Sequence, residues 1–239
     1  SSGSKGLPHY TAAMRRMRSW FLGLLLAGCS SAPRYVGPVT DHFDGKQFHN
    51  LAPFEERGFG HVLRWKLSGK RAVSWPRYVE VPAAEQPPER VTTGTRITFV
   101  NHATVLIQMG GLNILTDPVW SPSVGPTSVL GQHRHKPAGI PFAALPPIDL
   151  VLISHNHYDH LDLPTLQMLQ RRDAPLILCG LGTARLLREH GVPRGRDLDW
   201  WQSVELGDVT VTFAPAQHWS MRGATDRNRN LWGSFYLTK

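Results

Sequence analysis

The stretch that most constrains this chain is Ser154-His155-Asn156-His157-Tyr158-Asp159-His160-Leu161-Asp162. Three histidines and an aspartate fall within six residues, in the order H-x-H-x-D-H. They follow the run Asp149-Leu150-Val151-Leu152-Ile153, which reads as a buried strand. A strand that ends in a turn full of imidazoles and a carboxylate is a natural place to hold a metal. His155 and His157 are two apart in an extended turn, so their rings can face one ion, while Asp159 and His160 can face a second one close by. Neutral imidazole with carboxylate oxygen suits Zn²⁺ or a similar borderline ion better than Ca²⁺ or Mg²⁺. The alternative, a polar surface turn with coincidental histidines, does not explain four ligand-competent groups in so short a span.

A third ligand for the first ion must come from elsewhere. His218, in Ala214-Pro215-Ala216-Gln217-His218-Trp219-Ser220, again follows a strand pattern. His190 is its rival, but it closes a helical pattern, where a histidine is favourable as a cap cation. His218 is the better candidate.

The elements around the motif alternate. Arg96 to Val100, Ala103 to Met109 and Leu112 to Thr116 read as strands, the last two joined across Gly110-Gly111 as a hairpin. A proline-rich loop from Pro118 to Pro147 carries His133-Arg134-His135-Lys136, read as a solvated basic piece. After the motif, Leu163 to Arg171 predicts a helix, Pro175 to Cys179 a strand, and Thr183 to His190 a helix closed by Gly191. Asp208 to Ala214 and Leu231 to Leu237 read as further strands. Strands alternating with helices indicate α/β layering. Cys179 sits in an apolar run and is expected to be a buried, unpaired thiol.

The formal charge of +8 is weaker than it looks. Of the 26 lysines and arginines, Lys5, Arg15, Arg16 and Arg18 lie in residues 1–28, which hold no acid; the remainder is 22 basic against 18 acidic residues, or +4. So mild a balance does not argue for nucleic acid. Met14 to Arg18 forms a basic n-region, Trp20 to Ala27 a short apolar one, and Leu26-Ala27-Gly28-Cys29 resembles a bacterial lipobox. The expected organisation is a signal peptide over 1–28, with residues before Met14 outside the natural start, and Cys29 lipidated. A tether over 29–40 and an N-terminal extension over 41–95 then precede the domain at 96–239. Ser30 after the cysteine favours an outer-membrane lipoprotein facing the periplasm. His42, His49 and His61 in the extension are expected to be surface or packing histidines.

Beyond the motif, Asn101-His102-Ala103-Thr104, Leu115-Thr116-Asp117-Pro118, Gln217-His218-Trp219-Ser220 and Asp226-Arg227-Asn228-Arg229-Asn230-Leu231-Trp232-Gly233 complete a resemblance. Together with H-x-H-x-D-H they resemble the metallo-β-lactamase superfamily. Within it they are similar to the branch of phospholipases D that hydrolyse N-acylphosphatidylethanolamine, together with related bacterial outer-membrane lipoproteins. The resemblance implies an αββα sandwich with two zinc ions per intact domain, which activate the attacking water. It implies that His155, His157 and His218 hold one zinc, and that Asp159 and His160 hold the other. Asp159 would also orient the attacking water, as the catalytic residue. Asp117 is either a carboxylate that fixes a histidine ring or simply a turn residue before Pro118. The family also uses a bridging Asp and a last His that do not follow His218 here. The chain is therefore expected to carry the N-terminal half to two-thirds of the domain and to hold at most one zinc tightly.

The implied activity is a zinc-dependent, phospholipase D-type phosphodiesterase acting on a membrane phospholipid or other small molecule, without nucleic acid. A lactonase or other superfamily hydrolase, or an inactive zinc-binding envelope lipoprotein, are the alternatives.

Overall fold

The fold is a computed structural model that describes residues 31–53, 58–68, 76–82, 85–127 and 131–239. The proposed signal segment and Cys29 lie outside the described residues. Two sheets stack in the domain. One has six strands in the order β1-β2-β3-β6-β7-β8, and the other has three in the order β11-β10-β9.

The six-stranded sheet begins as a meander. β1 (Thr95–Asn101) and β2 (Thr104–Met109) pair antiparallel, and β2 pairs with β3 (Leu112–Thr116) in the register Met109↔Leu112. Gly110 and Gly111, at φ 57° and 76°, turn that second hairpin. Two consecutive left-handed residues match the right-handed twist of the strands, and glycine adopts them without steric cost. From β3 the sheet becomes parallel through β6 (Leu150–Ile153), β7 (Leu176–Gly180) and β8 (Gly195–Leu198). The crossovers between these three are α2 (Leu163–Arg172) and α3 (Thr183–Glu189). All four residues of β6 are buried, as expected of a central parallel strand covered on both faces.

The second sheet joins β9 (Ser203–Leu206), β10 (Val209–Ala214) and β11 (Ser234–Thr238), all antiparallel. β10 alternates cleanly: Val209, Val211 and Phe213 are buried, and Thr210, Thr212 and Ala214 between them are less so. These inward residues meet Ile114, Leu150, Leu152 and Leu178 from the larger sheet in one core. A second core, with Val151, Ile153, Ile177, Leu166, Leu169, Leu186 and Leu187, fills the face covered by α2 and α3. Adjacent residues of β6 thus serve different cores, the period-two consequence of the strand pleat.

Three departures from the sequence reading have local causes. β8 and β9 were not anticipated: Gly195 to Leu198 and Ser203 to Leu206 are four residues each, too short for a periodic signal. β11 starts three residues later than expected, because Leu231 and Trp232 turn into the core and Gly233 packs where a Cβ would strike the Ala214 carbonyl. The basic piece of the long loop is not simply solvated. β4 (Ser123–Val124) pairs with β5 (Gln132–His133), and the Arg134 guanidinium donates to the carbonyls of Val119 and Ser121 at 2.9 and 3.2 Å.

The segment before the domain packs onto it. Ala32, Phe43 and Phe48 are buried, Phe43 and Phe48 form a β-bridge, and Phe48 N donates to Asn228 O at 2.8 Å. His42 is a packing histidine: its ring nitrogens lie 2.6 and 2.8 Å from Asp41 and Asp199, and it stacks on Trp200. α1 (Phe59–Leu67) is the remaining α-helix among the described residues. Among the described residues, no helix is long and apolar enough to cross a membrane. Cys179 is a free, buried thiol.

Candidate metal centre

The centre forms where β3, β6 and β10 end on the same side of the domain. After β6 the chain winds into a tight turn, with His160 N and Leu161 N both donating to His157 O. Leu161 is buried and anchors the turn, and Asp162 then opens α2. The Asp162 carboxylate does not cap its own helix; it accepts from Ser121 N, Ser121 Oγ and Thr165 Oγ1, tying the turn to the loop after β3.

His155, His157 and His218 come together. His155 Nε2 lies 2.8 Å from His157 Nδ1 and 3.1 Å from His218 Nε2. His218 is fixed through its backbone, since Asn50 Oδ1 accepts from His218 N and Asn50 Nδ2 donates to His218 O. Its rival takes no part: His190 Nδ1 donates to Leu186 O at the end of α3.

A second triad lies alongside. Asp159 Oδ2 is 3.0 Å from His102 Nε2 and 3.6 Å from His160 Nε2. The two triads are neighbours, with the His155 and His160 rings centred 4.1 Å apart. Sequence reasoning missed His102 as a donor. It occupies the two-residue turn between β1 and β2 at φ 46°, and a single histidine in a hairpin turn has no ligand spacing to read. The quoted stretch Asn101-His102-Ala103 was the one signal that could have drawn attention to it.

Asp117 sits in a turn at φ 37°, and its buried carboxylate receives Ser154 N, Ser154 Oγ and His160 Nδ1 at 2.8, 2.7 and 2.8 Å. With Nδ1–H donated to Asp117, His160 turns the lone pair of Nε2 toward Asp159 and His102. A carboxylate behind a ligating histidine fixes the tautomer and raises the ligand's basicity.

The electrostatics of the two triads differ. Burial pushes the pKa of His155 down, and the neighbouring rings of His160, His157 and His218 push it further. Burial and His218 hold His157 at about 4. His218 is lowered by burial and by His160. At His160 burial also works downward, but the hydrogen bond and charge of Asp117, with Asp159, outweigh it and the pKa rises.

The first triad is therefore neutral near pH 7, with lone pairs available. Among the described residues no carboxylate stands among the three converging nitrogens, His155 Nε2, His157 Nδ1 and His218 Nε2. Such a set is satisfied by a cation better than by the protein itself. Five imidazoles and one carboxylate over the two triads suit zinc or iron.

A pH dependence follows for the metal-free protein. Between pH 6.5 and about 4 the unfolded chain binds protons at His155, His157 and His218 that the folded chain refuses. Stability therefore falls as pH falls through this window. His160, raised above 6.5, gains its stabilising contribution above this window and keeps it constant within it. Calorimetry in chelator is expected to show Tm dropping by several degrees from pH 7 to 5; a constant or rising Tm would contradict the assignment of neutral imidazoles.

The β-lactamase superfamily domain matches residues 112–239 as a family model. An uncharacterized protein of Mycobacterium tuberculosis is 34% identical over 217 residues, covering 88% of this chain and 58% of that protein. N-acyl-phosphatidylethanolamine-hydrolyzing phospholipase D 1 of Caenorhabditis elegans is 31% identical over 233 residues, covering 86% of this chain and 65% of that protein. The chain thus spans less than two-thirds of the length of either relative. Among solved structures, the diiron β-hydroxylase CmlA of Streptomyces venezuelae superposes at a TM-score of 0.40 with 26% identity, covering 55% of this chain and 25% of that one.

Proposed function

The chain belongs to the metallo-β-lactamase superfamily, on the branch of the N-acyl-phosphatidylethanolamine-hydrolyzing phospholipases D, and from that premise we propose that it serves a zinc-dependent phosphodiesterase of phospholipase D type. The superfamily is one of metal-dependent hydrolases, and the chain's two adjacent donor triads fit that chemistry. The proposal adds the metal, zinc, and the substrate, an N-acylated ethanolamine phospholipid. The observation that carries it is the adjacency of the triads, whose nearest rings are 4.1 Å apart. Phosphodiester cleavage needs both the attacking and the departing oxygen stabilised at once, and paired sites do this.

In this reading His155, His157 and His218 would hold one ion, while His102, Asp159 and His160 would hold the other. When bound, the ions supply Lewis acidity toward the phosphoryl group and lower the pKa of a water. Asp159 is half-exposed and accepts the proton of the attacking water through its second oxygen. Asp117 keeps the His160 ring in its ligating tautomer. Arg227 stacks on Trp219 at 4.3 Å, and Trp219 in turn packs edge-on to His157. A cationic edge beside the first triad favours an anionic phosphodiester over a neutral lactone. The water oxygen would bond to phosphorus as the bond from phosphorus to the ester oxygen of the N-acylethanolamine breaks, and that leaving oxygen would take up the proton held on Asp159, giving phosphatidate and an N-acylethanolamine. A lipid anchor at Cys29 would hold this centre at the outer membrane beside its substrate.

The test uses the full-length protein, zinc-loaded, on vesicles containing N-acylphosphatidylethanolamine and on a panel of lactones. The expected result is release of N-acylethanolamine, abolished by chelator and restored by zinc. Lactone turnover without lipid hydrolysis would replace this reading with the lactonase alternative. Full activity restored by iron but not by zinc would reject the metal.

A further inference from the structure

Arg222 is an arginine where burial is costly, 8% exposed and, among the described residues, with no carboxylate bound to its guanidinium. A buried charge persists only if its hydrogen bonds are worth the desolvation. What it contacts accounts for its position. Nη1 donates to Asn156 O at 3.0 Å and to Leu161 O at 2.9 Å, and the guanidinium lies 4.1 Å over the Tyr158 ring. Asn156 and Leu161 bracket His157, Asp159 and His160. One planar group therefore closes both ends of the turn that carries three of the six donors.

The backbone of Arg222 stands four residues beyond His218, in the other loop of the centre. That loop is fixed independently. The buried Asp226 carboxylate accepts from the backbone nitrogens of Arg222, Gly223 and Ala32. Ser220 is held by Asn228 Oδ1 and Asn230 O, and Asn230 Oδ1 accepts from Asn156 Nδ2. At the metal position the two loops meet through His155 and His218 at 3.1 Å and through Trp219 packed edge-on to His157.

We propose that Arg222 is a positioning residue that locks the His218 loop to the His155–His160 turn and so sets the spacing of the first triad. It touches neither metal nor substrate. Its effect runs through the backbone carbonyls of Asn156 and Leu161, whose places fix where the histidine rings converge. Guanidinium geometry suits the task, since two hydrogens on one nitrogen reach two carbonyls while the flat face covers Tyr158. The inference rests on the metal-centre reading and is independent of the substrate.

The test compares wild type, Arg222→Met and Arg222→Lys in the full-length protein. Zinc affinity is read by competition with a chromophoric chelator, and coordination by the absorption spectrum of the cobalt-substituted protein. Arg222→Met is expected to weaken zinc binding about 10- to 100-fold, the range seen when a group behind a metal ligand is lost. Its cobalt bands should shift and broaden. Arg222→Lys keeps a donor but not the fork or the flat face, and it is expected to recover part of the affinity.

A purely structural role would lower the metal-free Tm and leave zinc affinity and the cobalt spectrum of the folded protein at wild-type values, which would overturn the proposal. If Arg222→Met does not fold, Arg222→Lys decides: unchanged affinity and spectrum overturn it. Failure of the wild-type protein to bind zinc at all would instead remove the metal centre itself.

Discussion

Replacing His155 with alanine is expected to remove tightly held metal from the first triad and to abolish hydrolysis. His155 is the hub of the centre. Its Nε2 faces both His157 and His218, and its ring packs 4.1 Å from His160 in the neighbouring triad. A zinc site of protein ligands is worth about 10–16 kcal/mol. Losing one of three donors removes roughly a third of that, on the order of a 10³-fold loss of affinity. The metal-free fold should survive, because burial and the neighbouring imidazoles hold His155 neutral and it makes no ion pair. Zinc should therefore raise the Tm of the wild-type protein by clearly more than it raises that of His155→Ala. His190→Ala is the control, since its ring only donates to Leu186 O. Retention of stoichiometric zinc by His155→Ala would sink the assignment.

The largest loss of stability is expected from Trp232→Ala. Trp232 is fully buried between the sheets, and its Nε1 donates to Ala216 O and Asn50 Oδ1 at 2.9 and 3.1 Å. Emptying a site of this size costs about 3–5 kcal/mol through lost burial and the cavity left behind. Against a total stability of about 5–15 kcal/mol, this should lower Tm by roughly 10 °C. The change should also reach the centre. Asn50 holds the backbone of His218 and Ala216 stands two residues before it, so zinc affinity should fall along with stability. Trp232→Phe keeps most of the packing and loses only the indole donor, and it is expected to cost about 1–2 kcal/mol. Denaturant unfolding separates these outcomes; a loss below about 1 kcal/mol for Trp232→Ala would mean that the indole is not the centrepiece of that core.

Trp232 also marks a boundary of what could be read from the chain. Leu231 to Leu237 has the composition of a strand, yet the first three of these residues enter the core and only Ser234–Thr238 pairs with β10. Close approach of Gly233 to the Ala214 carbonyl decides where pairing begins, and that contact spans distant parts of the sequence. β3, β6, β10 and the helix after the motif were readable because each buries a regular pattern of its own side chains. β8 and β9 were not, because four residues carry too little pattern and their pairing is supplied by β7 and β10.

The same division runs through the centre. His155, His157, Asp159 and His160 were legible because the strand before them and their spacing fall within one turn, where local geometry dictates which rings can share an ion. The sequence by itself determined this turn, the α/β alternation that supports it and, through the neighbouring stretches, the family. His218 was a candidate from its place after a strand pattern, and a hold on a histidine ring was one of two readings of Asp117; only the tertiary structure decided that His102 joins Asp159 across a separation of 57 residues, and how near His218 comes to His155 across 63 and Asp117 to His160 across 43. Local sequence sets backbone geometry over a few residues. Which strand ends meet depends instead on how two sheets stack and bury their apolar faces, a property of the whole domain that no short stretch contains.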